Sequence, residues 1–316
     1  LLAGWGRLTL RGPDVLSTFS LSNPPMIRSD RPTEKHVPAR SGGGRVPTPG
    51  VSAWFIALVA VIFFWGGAAL QGFFSEPGLL AAEWLLLFIP TVAFIVVGGF
   101  DPLQTLSLRR PTLRQAGTSV VVIAGALPLV WGIGWLQTFV LPVPWELLEG
   151  LENLVSAETW SRLLWLLILL AFTPAICEEI LFRGVLLSGT RNLDPWRIIL
   201  LNGFVFGAFH LSIDTVIRFL PTTVLGMVIA WSVWRTGSIW IGVLMHFVNN
   251  SSIVLLASTP SLREIVLDPE APPPLWLVFV SVVIFAAGFL MLKNTTAPSV
   301  FDVEASGPES FSSEET

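Results

Sequence analysis

The chain has 316 residues, of which 53% are hydrophobic and only 13% charged, and its mean hydropathy is +0.71. That composition excludes a soluble globular domain and indicates a membrane protein. The net charge of −4 is segregated along the chain, with no basic patch of the kind that binds nucleic acid, so no nucleic-acid partner is expected.

Residues 1–50 are rich in Pro, Gly, Ser and Arg and lack both a sustained apolar period and the apolar core of a signal peptide. They read as a disordered basic cytoplasmic tail, within which Met26 is a candidate start. Eight apolar segments follow, at 51–74, 79–100, 116–141, 160–187, 196–213, 217–234, 238–258 and 274–292. A helix needs about 20 residues to cross about 30 Å of hydrocarbon, whereas the strands of a membrane barrel run to about 10 residues of alternating polarity. The expected fold is therefore all-α, a polytopic bundle of about eight transmembrane helices spanning residues 51–293. With the amino terminus inside, Arg45, Arg109, Arg110, Arg114, Arg191, Arg197, Arg235 and Lys293 fall on the inner side. Only Arg162, Arg218 and Arg263 are left outside, so both termini are predicted to be cytoplasmic, at the cell membrane if the host is bacterial.

The segment 145–158 puts Leu147, Leu148, Leu151, Leu154 and Val155 on one helical face and Glu146, Glu149 and Asn153 on the other, and is expected to lie flat on the outer surface with Trp145 as its anchor. Residues 294–316 form an acidic, Ser-rich tail. Cys177 is the one cysteine, so no internal disulfide can form, and its acidic neighbour disfavours a thiolate nucleophile. There is no convincing internal repeat.

Ionisable residues inside a span are expensive, by roughly 2.5–3.5 kcal/mol each on insertion scales, so each calls for a partner or a function. Glu178, Glu179, Arg183, His210 and His246 are such residues, and they fall on three spans. Glu179 and Arg183 are one turn apart with the acid on the amino-terminal side, the favourable order for an ion pair. Glu178 is turned about 100° away from Glu179 and has no local cation, so it is left to face another helix or a water-filled cavity. Desolvation suits such a carboxyl to exchange protons near neutral pH, as a general base must. Phe206 and His210 share a face, as do His246 and Asn250. A histidine with an amide one turn away can hold a water, a metal or a developing oxyanion. Pro174 can kink its helix, and Asp214 lies four residues after His210, where it would orient the ring or face the outer loop.

These residues resemble the CPBP family, the CAAX proteases and bacteriocin-processing enzymes, which includes type II CAAX prenyl endopeptidases and Abi-like intramembrane proteins. The family pattern of EExxxR, FxxxH and HxxxN on successive helices is matched by "EEILFR", "FGAFH" and "HFVNN", and the likeness covers roughly residues 160–258. It implies an intramembrane endopeptidase with its site between the fourth, fifth and seventh spans. Glu178 would activate a water, Glu179, Arg183 and Phe206 would organise the site, and His210, His246 and Asn250 would stabilise the oxyanion or hold a metal. Glu178, His210 and His246 would be the ligands of a zinc ion, a donor set that catalytic zinc accepts. A metal-free glutamate mechanism is chemically adequate too, and no HExxH motif argues for metal. The implied substrate is a peptide or a membrane-associated, prenylated protein.

Two other readings stay open from the residues alone. One is a non-proteolytic immunity or scaffold protein that binds a peptide; the other is a proton- or metal-coupled transporter, against which stands the lack of a repeated half with a matching broken helix. The segment boundaries also leave a mismatch of depth. His210 falls near the outer end of its span, whereas Glu178 lies about two thirds of the way inward along its own.

Overall fold

The computed structural model describes residues 44–143, 145, 154–211, 213–262, 268 and 270–295. Residues 1–43, with Met26, and 296–316 of the two expected tails and most of the surface segment 145–158 lie outside them; residues 44–50, expected in the amino-terminal tail, are described, and the first helix already begins at Pro49. Among the described residues the chain is helical, and its one strand-like contact is an isolated bridge between Leu108 and Ser238. The principal helices are α1 (Pro49–Val97), α2 (Leu113–Gln137), α3 (Trp160–Gly189), α4 (Pro195–Phe209), α5 (Phe219–Thr236), α6 (Ile239–Ala257) and α7 (Leu275–Thr295).

Six stretches are long and apolar enough to cross a membrane, so the bundle is polytopic, but the expected count of eight is not reached. The first two expected spans fall in the single 49-residue run of α1, which is too long for one straight crossing. Ser75 breaks it with φ 52° and ψ −126°, just ahead of Pro77. The second arm returns along the first: a Cβ on Gly66 would stand 2.8 Å from Leu86 Cδ1. Gly78 lies directly on the Leu70 carbonyl, a close approach that only a residue without a Cβ allows. The fifth expected span shrinks to α4, whose 15 residues rise about 22 Å and fall short of a full crossing.

Two ends of the bundle can be told apart by what ties them. At one end Asp101 N–H donates to the Arg45 carbonyl (2.7 Å), Ser238 Oγ donates to the Arg109 carbonyl (2.6 Å), Ile239 N–H donates to Ser107 O (3.0 Å), and Arg235 Nη2 donates to Lys293 O (2.9 Å). The loops carrying most of the described basic residues are thus stitched together. At the other end Arg162 makes two charge-assisted bonds to Glu76, 2.7 and 2.6 Å, and Trp165 Nε1 adds a third at 2.7 Å, clamping the reversal of α1 to the start of α3.

Core packing centres on α3, which meets the second arm of α1 on one side and α6 on another. Cys177, Leu181 and Phe182 of α3 join Leu87, Phe206 and Phe209 in one buried cluster. The pair α4–α5 approaches through small residues: a Cβ on Gly203 would be 2.7 Å from Thr223 O, and one on Gly207 would be 2.9 Å from Phe219 O. Gly-x-x-x-Gly spacing allows this backbone proximity between membrane helices. The outward faces carry exposed apolar side chains such as Trp54, Leu58, Trp65, Val97, Trp276 and Phe279, which suits contact with lipid.

Candidate active site

The helix that carries the acids is irregular by design of its sequence. Within α3 the regular turns Thr173–Glu179, opened by Thr173 and Pro174, lie between two π-helical stretches, Leu167–Phe172 and Ile180–Leu186. Pro174 has no N–H to give, and π turns leave carbonyls open to other donors. Side chains from neighbouring helices take them. Asn250 Nδ2 donates to Leu170 O (2.8 Å), Asn202 Nδ2 to Phe182 O (2.8 Å) and Ser52 Oγ to Val185 O (3.1 Å).

Glu179 and Arg183 form the expected pair. Arg183 Nη1 donates to Glu179 Oε1 at 2.8 Å with both side chains fully buried, and Nη2 donates to the Gly226 carbonyl of α5 at 3.0 Å. The guanidinium lies over the Phe206 ring at 4.5 Å, a cation–π contact that adds to its pairing. Glu179 Oε1 also accepts from His246 Nδ1 at 3.0 Å. A carboxylate only accepts, so Nδ1 carries the hydrogen and the ring presents Nε2 to the site. His210 follows the same rule: Nδ1–H donates to the Phe206 carbonyl at 2.8 Å. Its Nε2 stands 3.7 Å from Glu178 Oε2, longer than a hydrogen bond.

Glu178 is 8% exposed, and its Oε2 has no hydrogen-bond partner. The two adjacent acids are held differently: Glu179 is bound through Oε1 by two donors, its Oε2 having no partner, whereas Glu178 Oε2 has no donor. Phe206 packs against both imidazoles, with its centroid 4.7 Å from His210 and 5.7 Å from His246. Asn250 shares its helix face with His246, but its amide donates to Leu170 and its Oδ1 accepts from Asn249 (2.7 Å), so it ties α6 to α3 about two turns from Glu178. Cys177 is buried among apolar side chains. The Asp214 side chain lies outside the described residues.

The depth mismatch resolves at His210. Its side chain takes the Phe206 carbonyl and its backbone N–H takes Gly207 O at 3.0 Å, so α4 ends at Phe209 inside the bundle and the chain turns at the level of Glu178.

Sequence reasoning missed two buried polar residues. Asn202 holds the π stretch through Phe182, and Glu83, in the second arm of α1, is 5% exposed with Oε2 unpartnered. Each stood out in principle as a lone polar residue in an apolar span.

Metal binding can be tested on the donor set. Both histidines spend Nδ1 on an oxygen acceptor, the second-shell pattern of ligating imidazoles. Among the described residues, however, no three His, Cys, Asp or Glu side chains come close enough together to hold an ion.

Fold and site together define a polytopic helical membrane protein with buried acids and imidazoles converging on one intramembrane centre. Residues 160–252 match the family model described as Type II CAAX prenyl endopeptidase Rce1-like, consistent with a CPBP family protease. At family level this supports a peptidase of the CAAX type embedded in the membrane. The matched segment holds all seven site residues expected from the sequence and covers less than half of the chain. No curated protein and no solved structure matches the chain.

Proposed function

We propose that the chain is an intramembrane endopeptidase in which Glu178 activates the attacking water. Glu178 takes a proton from the water, the hydroxide adds to the scissile carbonyl carbon, and the same proton passes to the leaving nitrogen as the C–N bond breaks. The observation that carries this reading is the buried Oε2 of Glu178, without a hydrogen-bond partner and 3.7 Å from His210 Nε2. Glu179 and Arg183 set the orientation of His246, whose Nε2 is left to the site, while Asn250 holds α6 on α3 through the Leu170 carbonyl. The zinc ligands expected from the resemblance, Glu178, His210 and His246, do not come together as a set of three among the described residues, and no step above passes through a metal.

The substrate is taken to be a membrane-associated peptide, prenylated or not, reaching the site from the bilayer. The reading takes both termini to be cytoplasmic, on the bias of Lys and Arg toward one set of loops in the sequence.

The test uses purified protein in liposomes with two fluorogenic peptides, one prenylated and ending in a CAAX sequence, one unprenylated. Wild type is expected to cleave at least one, and Glu178→Gln neither. Cleavage by Glu178→Gln at the wild-type rate refutes the assignment of the base. Chelation sorts the mechanism, since survival of activity favours the metal-free route and its loss favours zinc.

A further inference from the structure

Glu83 lies outside the matched segment and outside every motif residue, yet its stretch packs on the helix that carries the acids. Its π-helical stretch, Ala82–Phe88, packs against Thr173–Glu179. Leu87, one turn on from Glu83, is fully buried in the cluster that holds Cys177 and Leu181. A carboxyl placed in hydrocarbon with an oxygen unpartnered is destabilising, and stable folds retain such groups chiefly where function supplies the partner. Three buried carboxyl oxygens without a partner lie on these two packed stretches, Glu83 Oε2, Glu178 Oε2 and Glu179 Oε2, and of the three acids only Glu179 is already held through its other oxygen, by Arg183 and His246. Water is the molecule with two donors to offer them.

We propose that Glu83 is a positioning residue for the lytic water, accepting one of its hydrogens, directly or through a second water, while Glu178 accepts and removes the other. The role rests on the endopeptidase reading above. Glu83 gains and loses no bond in the reaction; it fixes which way the oxygen lone pair points when hydroxide forms. The device also brings a second helical hairpin into the site, so that the first arm pair of the bundle contributes to chemistry otherwise confined to α3, α4 and α6.

The experiment measures kcat, KM and Tm in liposomes with the cleaved fluorogenic peptide, for wild type, Glu83→Leu, Glu83→Gln and Glu178→Gln. Glu83→Leu is expected to lower kcat by about tenfold or more while KM stays within about twofold, because orientation of the water and not substrate binding is lost. Its Tm is expected to rise by about 2 °C, since an unpartnered buried oxygen is gone. Glu83→Gln keeps an acceptor oxygen and is expected to recover most of kcat. Wild-type kcat in Glu83→Leu overturns the proposal, as does a raised KM with kcat unchanged, which makes Glu83 a substrate contact. Equal loss of kcat and of Tm in both variants also overturns it, because it marks a purely structural acid. Glu178→Gln keeps the two levels apart. If it is inactive while Glu83→Leu is fully active, only the water-positioning role fails; if it is fully active, or wild type cleaves nothing, the endopeptidase reading fails with it.

Discussion

Gly242 on α6 has no place in any motif, yet the site depends on its having no side chain. A Cβ there would overlap Glu179 Oε2 and stand 2.9 Å from Val233 Cγ2 and 3.3 Å from Glu179 Cδ. The Glu179 carboxyl cannot simply swing aside, because Oε1 is held by Arg183 at 2.8 Å and by His246 at 3.0 Å and the side chain is fully buried. Gly242→Ala must therefore push the acid, and His246 with it, by something on the order of 1 Å, a misplacement worth about 10²-fold in rate. That factor corresponds to about 2.7 kcal/mol of barrier, comparable to the ~1–3 kcal/mol that overpacking a core removes from stability. Steady-state kinetics with the cleaved fluorogenic peptide should show the loss in kcat rather than KM, with a folded protein by thermal melting. Shortening the acid in the same background, Glu179→Asp with Gly242→Ala, should give a combined loss smaller than the product of the two single losses, since both act on one contact. A Gly242→Ala variant with kcat within twofold of wild type would refute the claim that the Glu179 contact with α6 sets the site.

Other perturbations separate the scaffold from the chemistry. Arg162→Ala removes both bonds to Glu76 and strands an acid already tied to Trp165, so Tm should fall by an amount equivalent to about 1–3 kcal/mol with kcat unchanged; an unaltered melting curve would show that the clamp is idle. Asn202→Ala leaves the Phe182 carbonyl without its donor and should speed hydrogen exchange across Ile180–Leu186, which equal protection in variant and wild type would disprove. Gly207→Val forces a branched side chain against Thr223 and the Phe219 carbonyl, and should separate α4 from α5 and displace His210; retention of wild-type kcat would rule that coupling out.

What was legible in the sequence was whatever the covalent geometry of one helix determines. The Glu179–Arg183 pair, the shared face of Phe206 and His210 and the open position of Glu178 all follow from a four-residue spacing or a 100° turn, and each reappears in the fold. The break between the first two spans was equally plain in Ser75–Pro77, although the structure keeps it within one helical run. The end of α4 was not legible, because no Pro or Gly marks it: the helix stops when the His210 ring takes a carbonyl that the backbone would otherwise use, and the apolar run continues past that point. Asn250 was expected as a partner of the chemistry, and its helix face was right, but the acceptor of its amide is a π-turn carbonyl of another helix that no local pattern announces. Glu83 was overlooked for the same reason. It is linked to Glu178, 95 residues later, only by the packing of the α1 hairpin on α3, which brings the stretches that carry the two acids together.

The most direct test of the central claim is hydrolysis in water enriched in oxygen-18, with the cleaved peptide products weighed by mass spectrometry for wild type and Glu178→Gln. Activation of water by Glu178 predicts one heavy oxygen in the new carboxyl group from wild type and no product from the variant. Labelled product formed by Glu178→Gln at the wild-type rate would contradict it.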